Sequence, residues 1–436
     1  MTWLQRYRIR HYVGDSIWIL PVLSTLAAIA SVRLLHWIQK DLGWESPVAP
    51  DTARAVLGTM AASLFTAIVF VCTALLVAVQ LVSAALTPRI IAIVFRDPIT
   101  KFVLTLLVFV FTFSLSALIR ITSTVPLLTT HVAAYSCVVC LAVFFFLIDH
   151  LGRALRPSGA LRAVAWLGRR VIASVYPMRL SDSPGPASGP ESSDLGEPTC
   201  IVTNRRDGVV LAFDVRGLVS LAQRTDCVIE LVPQVGDFIA VGDPLFRVYH
   251  GGISPSADAL DQSVAVGQER TLEQDPAFAL RIIVDIASKG LSPAINDPTT
   301  AVLALDQIHH LLRDLGSRRL DDGRVRDKSG RLRLVYRTPD WEDFVHLAVT
   351  EIRQFGRTSI QIARRLRAML ENLIQTVPEE RATPLREELK LLQRSTGRSF
   401  TEPEELALAD ESDLQGVGGK HGRSNAAREG SEAASQ

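Results

Sequence analysis

The chain has 436 residues, 48% hydrophobic and 21% charged, with a mean hydropathy of +0.23. Its 46 Lys and Arg against 45 Asp and Glu leave a net charge of +1, which gives no electrostatic case for nucleic acid. Composition excludes collagen-like, disulfide-framework and wholly disordered classes, and the length accommodates about two or three domains.

The apolar excess sits in residues 1–150, which reads as a four-helix transmembrane domain. Residues 16–32, 55–88, 102–119 and 121–148 carry no Asp, Glu, Lys or Arg, and a span needs about 20 mostly apolar residues. The first and third stretches are short, but each is followed by an arginine, Arg33 or Arg120, able to snorkel to the interface. The second is longer than a span needs and reads as a helix over 56–86 that tilts or projects. Arg6, Arg8 and Arg10 precede the first stretch as in a signal peptide, but no small-x-small cleavage site follows, so a retained helix is expected. Arg6, Arg8, Arg10, Arg89, Arg96, Lys101, Arg153, Arg156, Arg162, Arg169 and Arg170 fall on one side, against Arg33, Lys40, Arg54 and Arg120 on the other. That bias predicts a multi-pass protein of the cytoplasmic membrane with both termini in the cytoplasm.

Thr59, Ser63, Thr66, Thr73, Gln80, Ser83 and Thr87 recur with a period of about 3.5, placing them on one side of the second helix. Thr105, Thr112 and Ser116 continue the theme in the third. Such a stripe either lines a water-filled path or is a packing surface between helices. No charged residue lies inside the four stretches, which disfavours a proton relay or an ion-coupled carrier. Cys137 and Cys140 form a C-x-x-C within an apolar helix, where core packing is expected instead of redox or zinc chemistry.

Residues 151–180 form a basic juxtamembrane helix whose Leu161, Val164, Leu167, Val171 and Val175 recur at helical spacing, as in a helix lying along a membrane face. Residues 181–198 read as a flexible linker, and residues 400–436 as a disordered tail. Between them lies a cytosolic α+β region. Residues 199–250 form a small β module around a short helix at 215–224. Its V-G-D-x-I-x-x-G-D-P-L-F run at 235–246 resembles the barrel-sandwich domains that carry lipoyl or biotinyl groups. The segment has no lysine, so a swinging-arm role is excluded. Residues 256–396 read as a helical domain. A helix covers 268–289, continuous or broken at Asp275-Pro276. A turn at 292–296 and a helix from Asp297-Pro298 to about Leu315 follow. Then come a charged loop at 321–330, the cap-like Thr338-Pro339, and helices at 340–353, 358–376 and 384–393. Asp297 suits an N-cap and Pro298 the first helical position.

The Glu269-Arg270-Thr271, Gln274-Asp275, Phe278, Leu280-Arg281 and Asp285-Ile286-Ala287 pattern, then Leu291-Ser292-Pro293-Ala294-Ile295-Asn296-Asp297-Pro298-Thr299-Thr300-Ala301 with Asp306, resembles a bacterial family of predicted membrane proteins, domain-of-unknown-function family 2254. Thr87-Pro88-Arg89, Asp97 and Gly236-Asp237-Phe238 fit the same resemblance, which covers nearly all of residues 15–395. It implies the architecture and the membrane location, not a reaction.

Glu269, Arg270, Asp275, Arg281, Asp285, Asn296, Asp297, Thr300 and Asp306 are close in sequence, on two helices joined by a turn. They suit a site for a cation or a charged metabolite, or a structural network of caps and ion pairs, including one used between subunits. His309 and His310 are adjacent, so they point about 100° apart on a helix and do not share a metal. No Walker loop, H-E-x-x-H, G-x-S-x-G or dinucleotide glycine pattern is present, so no enzyme, metal or cofactor is expected. The partners expected are the lipid bilayer and further copies of the chain, because one four-helix unit is too narrow to enclose a hydrated path. The sequence favours an oligomeric channel-like or transport-associated protein with a cytosolic assembly or gating domain. The alternative is a membrane-anchored sensor or scaffold without transport.

Overall fold

The structure, a computed structural model, describes residues 1–42, 46–90, 97–122, 125–154, 156–182, 195–251, 255–320 and 322–418. Most of the linker expected at 181–198, and the tail beyond 418, lie outside them. The chain forms two compact units, one of residues 8–160 and the other of residues 1–7 with 161–436.

The first unit holds helices α2 (Ile19–Leu42), α3 (Pro50–Ala85), α4 (Pro98–Ile119) and α5 (Leu127–Ala154). Each contains a stretch long and apolar enough to cross a membrane: Ile19–Gln39, Pro50–Ser83, Pro98–Ile119 and Leu127–Arg153. α4 is the most buried of the four and packs against each of the others. Val103, Leu107 and Val110 on α4 meet Leu64, Val71 and Leu75 on α3 and Cys140 and Leu147 on α5. Cys140 is thus a packing residue.

Polar side chains close the helix ends, where backbone groups lack helical partners. Asp97 caps α4 by accepting from the Thr100 N–H at 2.9 Å and the Thr100 hydroxyl at 2.6 Å, and also meets His150 Nε2 at 3.0 Å. Burial pushes this carboxyl up, but the two Thr100 bonds and His150 outweigh it and leave it below its ordinary range. At the other end of α4, Arg54 donates to the carbonyls of Ile121 and Thr122 at 3.0 and 2.9 Å. Lys101 is buried and donates through Nζ to the Gly14 carbonyl near the end of α1 (Trp3–Asp15), a favourable place for a cation. Gln39 and Thr129 hydrogen-bond across α2 and α5 at 2.9 Å, giving a buried amide its partner.

The second unit joins two sheets to a helical layer. β1 (Cys200–Thr203), β5 (Pro244–Tyr249), β3 (Val228–Leu231), β8 (Leu332–Tyr336) and β7 (Arg324–Arg326) form one sheet in that order, with β3 and β8 parallel and the other neighbours antiparallel. β4 (Phe238–Ile239), β2 (Gly208–Phe213) and β6 (Val264–Gly267) form an antiparallel second sheet. The pairings close no barrel among the described residues. Helix α7 (Val215–Arg224), capped by Asp214, buries Leu218 and Ala222 in a core with Val210, Phe213, Ile229, Phe246 and Leu334. Tyr7 packs on Leu211, Ala212 and Ala265 of the smaller sheet.

Three strands, β6 to β8, fall in the region read as a helical domain, β7 within its expected charged loop. The short Leu332-Arg-Leu-Val-Tyr336 run is too brief for its period to distinguish strand from helix, and its parallel partner β3 lies far away in sequence. After the short helix α8 (Ala257–Asp261), the helical layer contains α9 (Pro276–Gly290), α10 (Pro298–Gly316), α11 (Trp341–Phe355), α12 (Ile360–Thr376) and α13 (Glu379–Ser399). The helix expected over 268–289 begins only at Pro276, with Asp275 as its cap. α11 is capped by Asp340, whose carboxylate and that of Asp343 form a reciprocal capping box. Thr338 instead meets the Tyr176 hydroxyl at 3.0 Å.

Two further expectations are corrected. The basic helix, α6 (Pro157–Val175), does not offer its apolar face to a membrane: Leu161, Val164, Ala165, Val171 and Ile172 are buried in protein. Gly168 lies so close to α9 and α10 that an added Cβ would sit 2.9 Å from that of Ala279. The tail expected to be unstructured from residue 400 contains α14 (Pro403–Ala409) and remains ordered to 418. Arg364, fully buried on α12, donates to the Glu411 and Gly418 carbonyls at 3.3 and 3.1 Å. Asp413, also fully buried, accepts from the N–H groups of Gln415, Gly416 and Gly418. Composition registers a polar segment; it does not register that its acceptors answer buried arginines.

Candidate functional site

The hydroxyl stripe on α3 faces away from the rest of its own unit. Thr59, Ser63, Thr66, Thr73 and Gln80 are exposed, and Ser83 is half-buried. The residues α3 buries, Leu57, Ala61, Leu64, Val71, Leu75, Ala78 and Val82, lie on the opposite side of the helix. The stripe therefore lines no path inside one chain. Four of the hydroxyls have a local acceptor one turn back: Thr59 donates to Ala55 O at 2.8 Å, Ser63 to Thr59 O at 2.9 Å, Thr66 to Ala62 O at 3.0 Å and Thr73 to Val69 O at 2.9 Å. This back-bonding allows a hydroxyl to sit on an apolar helix without an unsatisfied donor.

The nine polar residues around α9 and α10 divide among separate partnerships. Arg270 and Asp275 pair at the start of α9, where Asp275 is buried and also accepts from the Phe278 N–H at 2.9 Å. Burial pushes the Asp275 carboxyl above its ordinary range, against the opposing pull of Arg270. Gly236, at φ +96°, makes room for this pair, because a Cβ there would lie 2.4 Å from the Arg270 guanidinium carbon. Arg281 donates through Nε to Asp285 at 2.6 Å and grips Glu351 on α11 with both terminal nitrogens at 2.6 and 2.7 Å. The Arg281 bonds hold the Glu351 carboxyl below its ordinary range, and Glu351 in turn leads the rise of the guanidinium. Asp297 caps α10 by accepting from the Thr300 N–H at 3.1 Å and the Thr300 hydroxyl at 2.5 Å. Asn296 is exposed at φ +47°, in the tight turn that carries its N–H back to Ser292 O at 2.8 Å. Asp306 pairs with Arg365 of α12 at 2.7 Å. Glu269 is exposed, and no partner for it is found among the described residues.

Apart from Glu269 and Asn296, these residues are thus caps and ion pairs, each buried or half-buried carboxylate answered by a donor, and no common set of contacts unites the nine. Among the described residues no group of three or more His, Cys, Asp or Glu is placed to hold a metal ion. An open depression of about 240 Å³ is lined by Gln234, Ala277, Arg337, Pro339, Asp343, Phe344 and Leu347, but Asp343 is already engaged in the cap of α11.

Sequence reasoning missed a buried carboxylate that ties two helices together. Glu388 on α13 is 1% exposed and accepts from His346 Nδ1 at 3.2 Å, the Thr350 hydroxyl at 2.6 Å and Arg353 Nε at 2.7 Å, all on α11. His346, Thr350 and Arg353 are spaced four and three apart on one helix face, a signal that marks a polar stripe but does not name its acceptor. Burial alone would lower the His346 pKa; its bonds to Glu388 and Glu342 reverse this and leave it raised. His309 takes Asn372 at 2.9 Å, while burial lowers its pKa.

Comparison with known proteins gives the same outline. The uncharacterized protein Mb1321c of Mycobacterium bovis is 25% identical over 427 residues, covering 93% of this chain and 80% of the relative. The uncharacterized protein Rv1290c of Mycobacterium tuberculosis matches to the same extent. No solved structure matches. Residues 14–372 match the family described as predicted membrane protein (DUF2254), which takes in all four apolar helices, both sheets and most of the helical layer. The chain is a member of that predicted membrane protein family.

Proposed function

We propose that the protein is a homo-oligomeric, channel-like or transport-associated protein of the cytoplasmic membrane, with both termini and the second unit in the cytoplasm. In this reading the α3 stripe of one copy faces the stripes of its neighbours around a hydrated path. The sheets and helical layer serve as an assembly or gating part. The observation that carries it is the outward position of Thr59, Ser63, Thr66, Thr73 and Gln80, five polar side chains on the face of α3 that its own unit leaves uncovered. A hydroxyl that has donated to its own backbone keeps lone pairs for water or a permeating solute. The test is planar-bilayer recording of the purified protein. The wild type conducts, and Thr66→Leu with Thr73→Leu abolishes the current while the oligomer still forms. Current unchanged by the two leucines removes the reading.

A second reading, a membrane-anchored sensor or scaffold without transport, draws on a different observation. The stripe's hydroxyl protons are already satisfied within α3, so the face can pack against another helix without water. Absence of any current from a correctly assembled protein favours it.

A further inference from the structure

From Gly152 to Ser181 the chain has six arginines and no Asp or Glu. α6 lies within this stretch, and its apolar face is consumed by packing on α9 and α10. Its other face remains. Arg162, Trp166, Arg169 and Arg170 are exposed there, Trp166 by 51%. At helical spacing Arg162, Trp166 and Arg169 fall on a single stripe. The Arg170 guanidinium lies over the Trp166 ring, 4.8 Å from its centroid. No ion pair neutralises Arg162 or Arg169 among the described residues. The buried and half-buried arginines Arg270, Arg281, Arg318, Arg333, Arg353 and Arg365 of this unit each meet a carboxylate. The α6 cations are gathered on one helix face, and they follow immediately after an apolar span, since α5 ends at Ala154 and α6 begins at Pro157.

We infer that the Arg162–Trp166–Arg169–Arg170 face of α6 is a binding surface for anionic phospholipid headgroups of the bilayer that holds α5. The charge is complementary, because guanidinium forks match phosphate oxygens. Trp is the side chain favoured at the boundary between headgroups and hydrocarbon. The mode follows from what the protein core has already claimed. With Leu161, Val164 and Ile172 buried in protein, α6 has no apolar face to insert among acyl chains, so the contact is made at headgroup level and is electrostatic. This goes beyond the proposed function and does not depend on conduction, since a scaffold would carry the same surface.

The experiment uses the full chain in nanodiscs of phosphatidylcholine, with and without phosphatidylglycerol, the lipids brominated near the headgroup end of the chain. The Trp166 signal is the difference between the emission of the wild type and of Trp166→Phe. Phosphatidylglycerol discs quench it strongly and neutral discs weakly, and added salt erases the difference. Arg162→Gln with Arg169→Gln removes the quenching, with the apparent affinity for the anionic lipid falling roughly fivefold per arginine. Both positions are exposed, so elution volume and melting temperature stay at wild-type values, which separates lost binding from lost fold. Equal quenching in both lipids would mean insertion instead of headgroup binding and overturns the inference. Quenching that survives the glutamine substitutions, or none in either lipid, also overturns it.

Discussion

Gly236 is a backbone position that the sequence marks as a turn, but whose neighbour it hides. A Gly-Asp pair bounding a short strand announces the turn; that Arg270 fills the space where a side chain would go is a contact made by folding alone. Gly236→Ala combines a left-handed φ with displacement of the partner of a buried carboxylate, and a melt should show a loss of about 2 kcal/mol or more. His346 is likewise legible only as a lone histidine. Its raised pKa means that its bonds to Glu388 and Glu342 stabilise the fold fully below the unfolded value of about 6.5. That contribution is lost as pH rises through the folded value. The melting temperature of the wild type should therefore fall across this window more steeply than that of His346→Gln. Parallel curves would remove His346 from the account.

Elements were more legible than residues. The four apolar helices follow from charge-free stretches, and the cap Asp297-Pro298 follows from local chemistry that needs no tertiary partner, whereas Asp275-Pro276 reads in the sequence only as a possible break in a helix and is in fact a helix start. Strands β6 and β8 were not legible, because their pairing is with β2 and β3, far away in the chain, and β7 forms only against β8. The grouping of the polar residues failed for the same reason. Arg281 and Asp285 stand one helical turn apart, a spacing that the sequence shows, and they do pair, but Arg281 also grips Glu351 of α11, 70 residues away, with both terminal nitrogens. A double-mutant cycle with Arg281→Ala and Glu351→Ala should give a coupling of about 1 kcal/mol in thermal stability, modest because both side chains are partly exposed. A coupling near zero would mean that the pair is not a tie between α9 and α11, and would reopen the arginine as a ligand-binding group.

The molecule as a whole combines a bundle whose polar stripe points outward with a second unit whose buried charges are mostly answered within it. The sequence could place the stripe on one face of a helix, because a 3.6-residue period fixes that much. It could not say which face the neighbouring helices would cover, since that depends on how α4 packs against α3. With the stripe opposite Leu57, Leu64 and Leu75, any hydrated path or tight seam requires a second chain. Disulfide cross-linking in native membranes tests this directly, using Thr66→Cys and Thr73→Cys singly in a chain whose 5 native cysteines are alanine. The account predicts covalent dimers at both positions, because the stripes of neighbouring copies meet at the shared face, and none at Phe65→Cys, which is exposed about a quarter turn away from Thr66 and Thr73. Monomer at both threonine positions, or dimer formed as readily at Phe65, would contradict it.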